Sequence, residues 1–493
     1  MRLPRVALWV LLFLLAVGTA AVPVRASEPP AAPTLPQPRL APVESRKVDP
    51  GLLYRRWEGS DVLGRPLVGH TLEINLNDPG LEVVVVPAGD ALGPTETVSS
   101  LAGRYGALAA INGSFFYRNG ERTLPVGNLM LDGKLVAASD FLRPSLGLTA
   151  DRRFLYGLVI PQVRLRAQDG RTTLALSNLN RPYQAGRLHL YHSLWGPTTG
   201  TPAGTRELIL LPKGSGYTVT AVGSGNSAIP RSGLVIAGEP GLLPELPPGT
   251  TLSLEADLGA GWKNARQVLT GGPLLVEGGR PVFEAVQEGF TGTVLGRKAR
   301  TAVGVKPDGR LVFLVVEGND AQQTGVTLEE MAVLAASLGL ETAVGLDGGG
   351  SSAMWVAGSL VSRPAGTQER PVANALVVLR AIPVYLYGWR LPCDTPPLLA
   401  EGRVLVPLRA IFQGLGAEVQ WDPQTRQILA RRQDRRVELI VGEKQARIDG
   451  RPVTLDVPAR VVNGRTLVPV RFVSQALGAT VQWKPEERAV YVN

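Results

Sequence analysis

Glycine and proline interrupt this chain often enough to favour turn-rich, strand-rich structure over a bundle of long helices. There are 57 glycines and 40 prolines among 493 residues. Inside a helix, glycine costs about 1 kcal/mol relative to alanine and proline about 3 kcal/mol. Between the breaks lie short runs that are β-branched or alternate apolar with polar: residues 71–75, 81–87, 108–111, 208–211, 251–254, 300–305, 311–316, 343–346 and 373–379. Such runs read as strands. Two helices stand among them. Thr327 and Glu330 have capping-box spacing, and Leu328, Met331, Leu334, Ala335 and Leu338 form an apolar stripe that Gly339 ends. A shorter helix is predicted over 98–105. The predicted class is α+β: a strand-rich mixed domain with few helices, plus two small C-terminal α/β repeat units.

Composition bounds the rest. Hydrophobic residues are 44% and charged residues 19%, which suits packed cores rather than disorder. Cys393 is the one cysteine, so no intramolecular disulfide and no cysteine-cluster metal site can form. The histidines are His70, His189 and His192. The net charge of +9 fits anionic surface polymers and does not by itself indicate nucleic acid.

Arg2 and Arg5 precede an apolar run over 6–17, and Val24-Arg25-Ala26 offers a cleavage site, with Thr19-Ala20-Ala21 an alternative. Residues 1–26 therefore read as a secretory leader, with an uncleaved anchor as the competing reading. Seven prolines make residues 27–50 an expected extended linker. No other run is long and apolar enough to span a bilayer. The expected place is outside the cytoplasmic membrane, secreted or associated with the envelope.

Two domains are expected after the linker, over 51–380 and 381–493. The second contains a repeat. Leu405-Val406-Pro407-Leu408-Arg409 recurs as Leu467-Val468-Pro469-Val470-Arg471. Leu415-Gly416-Ala417 recurs as Leu477-Gly478-Ala479, and Val419-Gln420-Trp421 as Val481-Gln482-Trp483. Each pair is 62 residues apart, so one supersecondary unit is used twice. Each unit reads as a helix, a glycine stop and a strand hairpin. These residues resemble the paired stalk domain named after the N-terminal domain of copper amine oxidases. Copper is not expected, because no histidine lies beyond His192. Cell-wall attachment and a passive spacer or dimer interface are equal readings. Arg409 and Arg471 read as structural.

In 51–380, three clusters place polar residues beside glycines at strand ends. They are Asn112-Gly113-Ser114, Arg300-Thr301 preceded by Thr270-Gly271-Gly272-Pro273, and Asp347-Gly348-Gly349-Gly350-Ser351-Ser352, with Glu317 upstream. The third carries the most chemistry. Asp347 ends an apolar run, three glycines allow a tight turn that could present N–H groups to an anion, and two hydroxyls follow. That set suits a sugar hydroxyl and a phosphate together. A tight turn whose Asp caps local N–H groups is the competing reading. The turn is no P-loop, no dinucleotide fingerprint and no serine nucleophile elbow, since the required spacings are missing. His189 and His192 sit on one predicted strand and point to opposite faces, which makes a poor metal pair.

These motifs, with Gly325-x-Thr327-Leu328-x-Glu330 and Glu369-Arg370-Pro371-Val372-Ala373-Asn374, resemble the phosphodiester glycosidase family over about residues 60 to 380. The family is known for releasing N-acetylglucosamine from a phosphodiester. The resemblance implies Asp347 and Glu317 as catalytic carboxylates that stabilise an oxocarbenium-like centre or activate water. It implies Arg300, the Gly348, Gly349 and Gly350 amides, Ser351 and Ser352 at the phosphate, and Asn112 on a sugar hydroxyl. Thr270, Arg363 and Asn374 complete the expected substrate-binding set. The family's usual Asp-Gly-Arg is here Glu317-Gly318-Asn319, so Arg300 or Arg363 must cover the lost cation, or the substrate differs. A divalent cation on Asp347, Glu317 or Asp320 suits hard-ligand chemistry, but the sequence names no cofactor. A non-catalytic glycan-binding protein and a metal-dependent phosphodiesterase that cuts P–O are the alternatives.

Overall fold

The computed structural model describes residues 38–493 except 106, 132, 139–142, 169, 171, 231–232, 319–324, 381, 383, 387–388, 392–394, 396, 463 and 486–488. The leader, the first part of the linker, Asn319, Asp320 and Cys393 lie outside the described residues.

Early strands that build the site region are β1 (Arg39–Asp49), β2 (Leu52–Ser60), β3 (Pro66–Ile74), β4 (Leu81–Pro87) and β5 (Ala109–Asn112). Later ones are β6 (Ala265–Thr270), β7 (Leu274–Glu277), β8 (Arg300–Val305), β9 (Leu311–Val316), β10 (Thr342–Gly345), β11 (Met354–Val356) and β12 (Asn374–Arg380). The helices are α1 (Val98–Tyr105), α2 (Leu328–Ser337), α3 (Leu408–Gly414) and α4 (Val470–Leu477). One antiparallel sheet runs β1-β2-β3-β9-β8-β10-β7 and ends on a short strand at Arg280–Pro281. A second runs β11-β5-β12-β4, with Ser359–Leu360 at the β11 edge.

Strand alternation explains how the layers stack. Leu311, Phe313 and Val315 of β9 share a core with Ile111 of β5 and Leu376 of β12. Val312, Leu314 and Val316 point the other way, onto Met331 and Leu334 of α2. On the second sheet Leu376 and Val378 face the shared core, while Ala375 and Val377 face Val98 and Leu101 of α1. The order of layers is helix, sheet, sheet, helix. A strand buried on both faces has no polar alternate, which is why β9 reads LVFLVV.

α2 begins as its sequence predicts. Thr327 Oγ1 accepts the Glu330 N–H at 3.2 Å, and Glu330 Oε2 accepts the Thr327 N–H at 2.9 Å. Thr327→Ala should lower the free energy of unfolding by about 1 kcal/mol, read from urea denaturation.

β1 corrects the linker. Residues 39–49 pair with β2 from Arg39↔Ser60 to Asp49↔Leu52. Pro42 is tolerated because β1 is an edge strand and its register shifts between Pro42 and Glu44.

Between β5 and β6 the chain builds most of two further sheets. The larger, over 162–257, has its own core around Leu165, Leu208 and Ile236. His189 and His192 belong to it. The His189 ring stacks between Tyr183 and Tyr191 at 5.1 and 5.8 Å. His192 Nε2 lies 2.6 Å from Asn180 Nδ2, and burial pulls the imidazole down to about 4.

The C-terminal repeat folds as one body with one shared core. Val404, Ile411 and Phe412 of the first copy pack with Val468, Phe472 and Val473 of the second. Val406 pairs with Val468, its own counterpart, flanked by Leu405↔Pro469 and Pro407↔Leu467. A pseudo-twofold axis therefore passes between Val406 and Val468. Gly416 and Gly478, with φ of +82° and +68°, follow α3 and α4. Arg409 and Arg471 are exposed.

Candidate active site

The site forms where β10 ends and the chain turns through Asp347. Asn112, the last residue of β5, is fully buried. Its Nδ2 donates to the Asp347 carbonyl at 2.8 Å. Its Oδ1 accepts from Thr301 Oγ1 at 2.8 Å and from the Ala353 N–H at 3.2 Å. Asn112 thus ties both sheets to the glycine turn, which corrects its assignment to a sugar hydroxyl. Asn374 is a framework residue too. Its Oδ1 accepts the Ser114 N–H at 2.9 Å and its Nδ2 donates to Ser114 Oγ at 2.8 Å. The Asp347 N–H donates to the Gly113 carbonyl at 3.3 Å. Gly113 must lack a side chain, because a Cβ there would sit 1.9 Å from Asn374 Oδ1.

The glycine turn is largely self-satisfied. The Gly348 N–H donates to Asp347 Oδ1 at 3.0 Å, and the Gly349 N–H to the Ala299 carbonyl at 2.7 Å. Two of the three glycine amides are therefore engaged, which corrects the expectation of an open amide nest. Positive charge comes instead from side chains. A Cβ on Gly348 would lie 3.5 Å from Arg300 Cδ, one on Gly349 3.6 Å from Lys298 Cδ, and one on Gly350 3.1 Å from Arg370 Cδ. Each glycine faces a different cation.

Arg300 is held rather than offered. Its Nε donates to the Val326 carbonyl at 3.2 Å, and Nη2 to the Val294 and Gly296 carbonyls at 2.7 and 2.5 Å. Burial pulls its guanidinium down to about 10, against the attraction of Glu329 and Asp347. Nη1 is its nitrogen nearest the turn, 3.6 Å from where a Cβ on Gly348 would sit. Arg370, exposed, stands over the Phe116 ring at 5.0 Å. Sequence reading missed Lys298 and Arg370 as site cations, although Arg370 lies inside a motif that the reading used.

Burial pushes the Asp347 carboxyl above its usual range, while Ser351, Arg370, the Gly348 N–H and Lys298 pull it back in part. The Ser351 hydroxyl stands near Asp347 without making an aligned hydrogen bond. It and the Ser352 hydroxyl are buried and unpartnered.

Glu317 directly follows β9. Its Oε1 accepts His70 Nε2 at 2.9 Å and the Arg363 N–H at 2.8 Å, and its Oε2 lies 3.6 Å from Arg363 Nε. His70 Nδ1 meets the Tyr54 hydroxyl at 2.9 Å. Burial pushes that phenol up to about 12. The Tyr54 hydroxyl and the Glu317 carboxylate thus engage both ring nitrogens of His70. Glu317 is therefore an anchor of a buried Tyr54–His70–Glu317 chain. Among the described residues no hydrogen bond or ion pair joins it to Asp347; the paired carboxylates of glycosidases stand about 5–9.5 Å apart and need none. Arg363 is the cation beside the altered Glu317-Gly318 step, through its N–H and its guanidinium.

Thr270 is likewise structural. Its buried Oγ1 accepts the Asn128 N–H at 2.7 Å and lies 3.0 Å from Ser145 Oγ. The glycines after it clamp β10: Gly272 N–H binds the Gly345 carbonyl at 2.8 Å, and Gly345 N–H binds the Pro273 carbonyl at 2.9 Å. Asp320 lies outside the described residues. Among those described, no three His, Cys, Asp or Glu residues converge as ligands for a metal.

Comparison with known proteins agrees with this division. Residues 223–379 match the phosphodiester glycosidase family, and residues 386–492 match the copper amine oxidase N-terminal domain. The chain thus carries a phosphodiester glycosidase domain followed by a copper amine oxidase N-terminal domain. An uncharacterized prophage-derived protein of Bacillus subtilis, YomE, is 37% identical over 79 residues, which are 16% of this chain and 12% of that protein. A hypothetical protein from Synechocystis shares the fold, with a TM-score of 0.60 and 24% identity over 69% of this chain and 64% of that one. A protein from Burkholderia pseudomallei does too, with a TM-score of 0.57 and 22% identity over 72% of this chain and 98% of that one.

Proposed function

We propose that this protein is an exported hydrolase that releases sugar from a sugar-1-phosphodiester, of the N-acetylglucosamine-phosphate type, in an envelope or extracellular glycan. The observation that carries the reading is the ring of Lys298, Arg300 and Arg370 around the glycine turn at Asp347. A phosphate monoester is a good leaving group. Cations beside it stabilise the charge that develops as the C1–O bond breaks, by a few kcal/mol for each well-placed group, on the order seen for oxyanion donors. Asp347 stands at the same turn to stabilise an oxocarbenium-like centre or to take a proton from water. The family match over 223–379 supports the reaction class. The leader-like N-terminus and the net charge of +9 support export toward an anionic polymer, with the C-terminal domain as its attachment to the wall. No described helix is long and apolar enough to cross a membrane.

The test uses the mature chain from Ser27 on N-acetylglucosamine-1-phosphodiesters, with and without EDTA, beside Asp347→Asn. Sugar release should fall by about 100-fold or more in the variant. The wild-type rate should decline as the medium is acidified through the raised Asp347 value, above the ordinary 3.8. EDTA-sensitive turnover would place a divalent cation at the site. Oxygen-18 from water should enter the sugar; its entry into phosphate would mean P–O cleavage. Release unchanged in Asp347→Asn would sink the assignment of the chemistry to this turn.

A further inference from the structure

A second carboxyl group lies beside Gly272, in the loop that clamps the strand leading into Asp347, and the residues above leave it unused. Glu288 Oε1 accepts the Leu274 N–H at 2.8 Å. Its Oε2 is buried and has no hydrogen-bond partner. The surroundings belong to the site's own loops. A Cβ on Gly272 would sit 3.2 Å from Oε2 and 2.9 Å from the Phe290 ring, so glycine is needed there for the carboxyl to approach. Gly272 is bonded to Gly345, two residues before Asp347. Phe290 packs on Phe115 with ring centroids 5.6 Å apart, and Phe115 lies two residues beyond Gly113, whose carbonyl holds the Asp347 N–H. Arg143 lies over Phe290 at 4.5 Å and over Phe115 at 5.8 Å. Burial pushes the Glu288 carboxyl above its usual range. The Leu274 N–H opposes that, Glu284 adds to it, and Arg143 opposes it. Glu284 and Arg143 are the charged groups that face it.

We propose that Glu288 is the proton donor of this site, passing the hydrogen on Oε2 to the bridging oxygen as the sugar C1–O bond breaks. The proposal rests on the glycosidase reading above. The C1–O electron pair goes to the bridging oxygen, which takes the Glu288 proton, so the phosphate leaves as a monoanion. Water forms the new C1–O bond and gives its proton to Asp347. Glu288 is left as a carboxylate, stabilised by the Leu274 N–H and Arg143. Exchange with solvent then removes the proton from Asp347 and returns one to Glu288.

The experiment compares the mature wild-type chain, Glu288→Gln and Glu288→Asp on two compounds. One is an N-acetylglucosamine-1-phosphodiester. The other is the corresponding α-glycosyl fluoride, whose leaving group departs without a proton. Glu288→Gln should lose about 100-fold in kcat/KM on the phosphodiester and lose the alkaline limb of the pH profile. It should turn over the fluoride at the wild-type rate, which also shows that the variant is folded. Glu288→Asp should recover part of the activity and the limb. Equal loss on both compounds, or no loss on the phosphodiester, would overturn the proposal and leave the glycosidase reading intact. A wild-type protein inactive on both would overturn that reading and this role with it.

Discussion

Asn112→Ala is expected to lower the free energy of unfolding by about 3–5 kcal/mol, since each buried polar group left without a partner costs about 1–3 kcal/mol. Three such groups would be exposed to that penalty: the Asp347 carbonyl, the Thr301 hydroxyl and the Ala353 N–H. The side chain is fully buried, so water cannot easily replace it. Catalysis should fall by about 100-fold as well, because a shift of about 1 Å at a reacting group costs that much, and Asn112 fixes the backbone of Asp347. Asn112→Asp should fail in a related way, since it turns the Nδ2 donor into an acceptor facing the Asp347 carbonyl. Urea unfolding and kcat measured on the same samples separate the two roles. Loss of stability and activity together fits a framework residue. Wild-type stability with activity lost would mean that Asn112 contacts substrate after all.

The contrast between Asn112 and α2 shows what the sequence makes legible. The capping box of Thr327 and Glu330 is complete within four residues, so nothing distant can change it. β9 is apolar at every position, and burial on both faces follows. The turn after Asp347 is legible because three glycines and two hydroxyls have few other uses. Asn112, Thr270 and Asn374 show the opposite case. A polar residue beside a glycine looks the same whether it faces ligand or framework. The direction is set by pairing with distant strands, such as Asn112↔Ala375. The cations divide in the same way. Lys298 and Arg370 reach the glycine turn only through tertiary packing, from opposite ends of the surrounding chain. Glu288 lies in a segment with no motif, and only its orphaned oxygen marks it. In the linker, proline content suggested an unpaired segment, yet an edge strand with a bulge accommodates Pro42. The C-terminal repeat was visible as an offset, but the pairing of Val406 with its own counterpart needed the fold.

Glu317→Ala should be the other large loss, about 3–5 kcal/mol of stability, the range for breaking a buried charged pair on one side. Glu317 is 247 residues from His70 in sequence, and the two meet at 2.9 Å with almost no exposure. Truncation would leave the His70 Nε2–H and the Arg363 N–H without their acceptor. Glu317→Gln should cost much less, because its carbonyl oxygen can still accept both. The charge has its own signature. Burial pushes the Glu317 carboxyl up, but the His70 hydrogen bond, the Arg363 N–H and the charges of both residues outweigh it and hold the group below its ordinary 4.5. A depressed folded value means that the stabilisation is full above the unfolded value and is lost as pH falls through the folded one. The wild type should therefore lose an increment of stability below about pH 4.5 that Glu317→Gln lacks, measured by urea unfolding across the acid range. The same variant decides between two roles. If Glu317 is only the anchor of the Tyr54–His70 chain, Glu317→Gln remains folded and keeps its rate of sugar release. If its negative charge is part of the reaction, kcat falls while the unfolding midpoint near neutral pH barely moves.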